Sequence, residues 1–194
     1  MPEAEREDSQ QSFAQGDRAY PDRLIRRLGA DAPRSITVVG SAAPLSSPMT
    51  AFLCSKETPG ATILKAFDQA ATWRDGMRCV VSGFHSPLER QCLDILLRGK
   101  QPVVMALARG MGALRLSATQ KKALCAGRLT IISSFPATER RTTRDLAVKR
   151  NRFIAALADE VVFAFLSSGG CLTQLAEQIT ADGSTWRQLH SETN

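Results

Sequence analysis

The chain has 194 residues, 43% of them hydrophobic and 23% charged, which suits one soluble domain with a full core and makes two domains a squeeze. No run of 18 apolar residues occurs, so a membrane-spanning helix is excluded. Five scattered cysteines beside two histidines offer neither a disulfide framework nor a zinc site. A net charge of +6 permits a polyanionic partner without requiring one.

Residues 1–18 are polar, acidic at Glu3, Glu5, Glu7 and Asp8, and lack the apolar stretch of a secretory signal. They are expected to form a disordered tail ahead of a single domain over 19–189, with a short tail over 190–194. Free cysteines in apolar surroundings point to a reducing cytoplasm.

Short apolar runs then alternate with amphipathic segments, the pattern of an α/β fold with a doubly wound, mostly parallel sheet and helices on both faces. Strands are predicted at 36–40, 49–54, 78–83, 102–107, 128–135 and 161–166. The segment after Lys56 reads as a helix capped by Thr58, with Pro59 in its first position and Ile63, Leu64, Phe67 and Ala71 on its buried face. "SPLERQCLDILLRG" carries a capping box between Ser86 and Glu89. A further helix is read in "SATQKKALCAG", and the last in "CLTQLAEQI" (171–179).

The run "ERRTTRDLAVKRNR" (139–152) holds six basic and two acidic residues. A continuous helix there would put Leu146, Arg150, Phe153 and Leu157 on one face, and burying an unpaired Arg150 would be costly. The expectation is therefore a helix starting at Asn151 as N-cap, with Arg150 in the turn before it and Arg152 in the first turn.

In open sheets of this type, ligands lie beyond the carboxyl ends of the strands. The residues expected there include Ser55–Lys56, Ser82–Gly83, Arg109–Gly110, Ser133–Ser134 and Ser167–Gly170, a rim of small and hydroxylated residues suited to an anion. In "SSGGCLTQLAEQI", Gly169 and Gly170 would open the backbone to a phosphate at a helix N-terminus, and Ser168 or Thr173 would add a hydroxyl. The spacing is not that of a P-loop. His85 reads as closing a polar turn, and no catalytic constellation, metal site or cofactor motif is evident.

These segments resemble, in order, the DNA-processing protein A (DprA/Smf) family. "YPDRL" (20–24) looks like its opening motif, "VVSGFHSP" like its Ser-Gly-x-Ala-Arg-Gly strand end, and "IISSFP" like its Ser-Glu-x-Pro. "KRNRFIAALADEVVFAF" is similar to its Arg-Asn-Arg-x-Ile-Ala-x-Leu segment, and "SSGGCLTQLA" stands where the family has Ser-Gly-Ser-x-x-Thr-Ala. The resemblance implies a Rossmann-like domain that binds single-stranded DNA, with Lys56, Ser82, Gly83, Arg150, Asn151, Arg152, Ser168, Gly169 and Thr173 along a phosphate-binding rim. It also implies a role in DNA processing, recombination or uptake, with a recombinase or other DNA-processing protein as partner. A homodimer is expected because open sheets of this kind self-associate through edge strands or helices.

The sequence departs from that pattern. Lys56 replaces an arginine, "FHSPLER" replaces "ARGID", and a winged-helix module is not expected after the last helix; "STWRQL" (184–189) stands in for the strand expected there. An alternative within the wider superfamily is a LOG-type nucleotide-binding enzyme or sensor acting on a nucleoside monophosphate. Its Pro-Gly-Gly-x-Gly-Thr-x-x-Glu turn is matched only at Gly169–Gly170.

Overall fold

In the computed structural model, which describes residues 10–189, the apolar runs become one eight-stranded sheet. The strands are β1 (Gln11–Ala14), β2 (Ser35–Val39), β3 (Met49–Leu53), β4 (Cys79–Ser82), β5 (Val103–Ala106), β6 (Leu129–Ser133), β7 (Glu160–Phe163) and β8 (Trp186–Gln188). The helices are α1 (Asp22–Leu28), α2 (Gly60–Asp75), α3 (Pro87–Leu96), α4 (Ala118–Cys125), α5 (Arg144–Leu157) and α6 (Cys171–Ala181). Strand order is β1-β2-β6-β5-β4-β3-β7-β8. Strands β6 to β8 run parallel in that order, while β1 and β2 are antiparallel additions at one edge. The α/β, Rossmann-like expectation holds.

Strands β3 to β6 are buried along their whole length, because helices cover both faces. One core layer joins the sheet to α1, α5 and α6; the other joins it to α2, α3 and α4. In the second layer Phe52 meets Trp73 edge-on, with ring centroids 5.4 Å apart. Arg23 and Arg27 of α1 reach the C-terminal carbonyls of α5: Arg23 Nη1 donates to Leu157 O at 2.8 Å, and Arg27 Nη1 donates to Ala158 O. Cations there complement the helix dipole and fix α1 against α5.

Several expectations are corrected. Residues 11–14 are not part of a disordered tail but an edge strand paired with β2 from Gln11↔Val38 to Ala14↔Ser35; residues 1–9 and 190–194 lie outside the described residues. The buried face of α2 is Thr62, Ala66, Ala70 and Trp73, with Leu64 66% exposed. Ile63, Phe67 and Ala71 of the expected face are half-buried, and Ile63 and Phe67 still pack against the core, so the observed stripe lies one residue away from the expected one. Thr58 does not cap α2; its Oγ1 donates to Ser55 O at 3.2 Å, and Pro59 occupies the N-cap.

The most consequential correction concerns α5. It is continuous from Arg144, capped by Thr143 Oγ1, which accepts from Leu146 N at 3.2 Å. Leu146, Arg150, Phe153 and Leu157 are all buried, so Arg150 is inside the protein and Asn151 is mid-helix.

Cys54, Cys79 and Cys92 are buried, whereas Cys125 is exposed and Cys171 half-buried. Burial pushes the Cys54 thiol up to about 11, with smaller effects from Thr58, Glu89 and Phe165, and those of Cys79 and Cys92 up to about 12. A thiol reagent near neutral pH is therefore expected to label Cys125 and Cys171 in the native protein and the other three only after unfolding. Between the ordinary thiol value of 9.0 and about 12, the unfolded chain loses protons that the folded chain keeps. Stability should consequently fall as pH rises through that window, which denaturant titrations would measure.

Candidate nucleic-acid interface

From β3 the chain steps outward through α2 to β4, then to β5 and β6; α5 carries it back to β7 on the other side of β3. Strand order reverses between β3 and β7, the place where an open parallel sheet leaves a crevice at its carboxyl end. Two serines bridge that crevice. Ser55 N donates to Phe165 O at 3.1 Å, Ser167 N to Ser55 Oγ at 3.1 Å, and the two hydroxyls lie 3.3 Å apart.

Beyond the bridge the chain turns into α6. Gly169 sits at φ +66°, in the left-handed region that favours glycine, and Gly170 N donates to Ser167 O at 3.0 Å. Thr173 Oγ1 donates to the same carbonyl at 2.7 Å. No side chain caps α6. The N–H groups of Ser168, Gly169, Cys171 and Leu172 meet no protein acceptor among the described residues. Arg144, the first residue of α5, places Nη2 3.4 Å from Cys171 Sγ. Uncommitted N–H groups, the positive end of a helix dipole and a guanidinium thus converge on one exposed turn, which is what an oxyanion requires.

The turn after β4 is built differently, because its donors are already committed. Phe84 N donates to Ser82 Oγ at 3.2 Å. Glu89, buried, accepts from His85 N at 2.8 Å and Ser86 N at 3.1 Å through Oε2, and from Cys54 N at 3.0 Å through Oε1. The capping box is present, with Glu89 N donating to Ser86 Oγ at 3.2 Å. The same carboxylate also ties the β3 turn to the β4 turn. Phe84 is held at φ 46°, rare for a residue with a side chain.

Arg150 packs against this turn. It is 6% exposed, and a Cβ at position 83 would fall inside its guanidinium, so Gly83 leaves the space the cation occupies. Burial lowers the Arg150 pKa and the negative charge of Glu89 raises it, with burial the larger effect. Its Nε donates to Asn151 Oδ1 at 2.9 Å.

Residues 11–180 match the family described as DNA recombination-mediator protein A. The chain belongs to this family. Comparison with curated proteins gives no match. Among solved structures, DNA processing protein A (DprA) from Streptococcus pneumoniae is similar with a TM-score of 0.76 and 16% identity, over 95% of this chain and 64% of that one. The Helicobacter pylori protein gives 0.74 and 15%, over 96% and 83%. The chain thus spans less than two thirds of the pneumococcal protein, and at these identities the likeness is one of fold.

Against the family's Rossmann-like frame, the expected rim residues separate into groups. Ser168 and Gly169 are exposed at the α6 turn, Gly170 and Thr173 are half-buried beside them, and Lys56 is exposed after β3. Ser82 is fully buried and turned to its own backbone. Arg150, Asn151 and Gly83 come together beneath the rim. Arg152 does not join them: its Nη2 meets Asp31 Oδ2 at 3.2 Å on the outer side of α5. Side chains two residues apart on an α-helix diverge by about 200° around the axis. Arg144 was missed because only a helix that starts there sets it against α6. Glu89→Ala is expected to lower stability by about 3 kcal/mol in urea unfolding, since it frees buried N–H groups and isolates Arg150. Gly83→Ala should cost roughly 1–3 kcal/mol by displacing the guanidinium.

Proposed function

We propose that the chain binds single-stranded DNA through its phosphates, along the rim between the β3 and α6 turns. The observation that carries this is the uncapped N-terminus of α6 with Arg144 beside it. Membership of the DNA recombination-mediator family supports it, as does the likeness to the Helicobacter pylori protein, whose structure is described in terms of single-stranded DNA binding.

The loops leaving the same strand ends add exposed Lys56, Arg115, Arg140 and Arg141, against Glu57 and Glu139. A chain of phosphates fits so extended a basic margin better than a single small anion does. Affinity rests on charge, so it falls with salt and varies little with sequence. On this reading the protein acts in DNA processing or recombination in the cytoplasm, with a recombinase as partner. Among the described residues the outer sides of β1 and β8 are unpaired, and these are the edges through which a homodimer would form.

Fluorescence anisotropy with a labelled single-stranded oligonucleotide tests the reading. Arg144→Ala and Lys56→Ala should each weaken binding for all sequences and flatten the salt slope by about 1. Failure of the folded wild type to bind, or displacement of the oligonucleotide by a mononucleotide at comparable concentration, would overturn it.

A further inference from the structure

Arg152 belongs to the basic cluster of the sequence but not to the rim. It stands with Lys149 over a cavity of about 320 Å³ between α5, the 3-10 turn at Gly29–Asp31 and the chain leaving β6. Leu28, Pro33, Phe135 and Phe153 supply apolar and aromatic walls, while Asp31 and Ser134 place an acceptor and a hydroxyl among them. Because Ser134 directly follows β6, the cavity borders the same end of the sheet as the rim. Lys149 is exposed and forms no ion pair among the described residues.

We propose that this cavity seats one nucleobase of the bound strand, with the flanking phosphates on Lys149 and Arg152. The inference rests on the phosphate-binding reading of the rim and extends it along the outer side of α5. The volume lies at the lower end for small-ligand sites and admits one nucleotide-sized group rather than a peptide helix. The walls match what a base demands: apolar and aromatic faces for its π-surface and polar atoms for its edge. The Arg152–Asp31 pair is solvent-exposed, with side chains 42% and 67% accessible, and such pairs contribute little. Arg152 can therefore turn its remaining N–H groups to a phosphate, leaving the Asp31 carboxylate to accept from a base N–H.

The test measures anisotropy for the wild type and for the Phe135→Ala, Lys149→Ala and Arg144→Ala variants. Each is titrated with a mixed-sequence single-stranded oligonucleotide and with its abasic counterpart, after circular dichroism has confirmed folding. Phe135→Ala is expected to weaken the base-bearing strand about tenfold and leave the abasic strand unchanged. Lys149→Ala should weaken both and flatten the salt slope by about 1. Equal weakening of both strands by Phe135→Ala, or wild-type affinity in folded Lys149→Ala, overturns the base pocket. Loss of affinity in Arg144→Ala at the same time would leave the rim reading intact. A wild type that binds neither strand removes the rim reading and the pocket with it.

Discussion

The buried carboxylate of Glu89 holds the carboxyl end of this sheet together. It gathers N–H groups from two separate strand ends, Cys54 after β3 and His85 and Ser86 after β4, so one side chain ties the two turns together. A carboxylate removed from water needs such donors, and each charge-assisted bond is stronger than its neutral counterpart. Its charge also makes room in the protein for a second buried ion, Arg150, which it stabilises through space. Together with the Asn151 Oδ1 that accepts from Arg150 Nε, this offsets part of the cost of burying a cation within an unbroken α5.

This arrangement divides the rim into a committed half and an open half. Around Glu89 the backbone donors are consumed, and the Phe84 backbone is locked in an unusual conformation. Around α6 the donors are left uncommitted, and Arg144 adds charge where they converge. Rigidity on one side of the switch point thus positions an anion-ready helix end on the other. On the proposed reading, donors fixed in this way would lose little freedom on binding a phosphate. Arg23 and Arg27 brace the far end of the same helix by donating to its C-terminal carbonyls.

Much of the fold was legible in the chain. The six predicted apolar strands all exist within a few residues of their expected limits, and the Ser86–Glu89 box caps α3 as read. "STWRQL" does contribute a strand, β8, parallel to β7. The edge strand β1 was hidden because "QSFA" has no pattern of its own and is defined by pairing with β2. The buried face of α2 was misassigned because helix periodicity alone does not say which of two adjacent stripes packs inward.

The site was legible in kind but not in arrangement. Strand-end chemistry pointed to the carboxyl end of the sheet as the proposed rim, and the structure leaves Ser168 and Gly169 of "SSGG" exposed there. Local sequence could not separate Arg150 from Arg152, because their divergence depends on where α5 starts. The continuous helix buries Arg150, whose charge is favoured by Glu89, 61 residues upstream, though burial remains the larger effect. Residue pattern alone thus located the six apolar strands, the Ser86–Glu89 cap and the glycine turn after β7, since these follow from periodicity and residue chemistry. Tertiary structure alone decided which cations are buried, which face solvent and which backbone donors are left over, because those outcomes depend on partners brought together by the sheet.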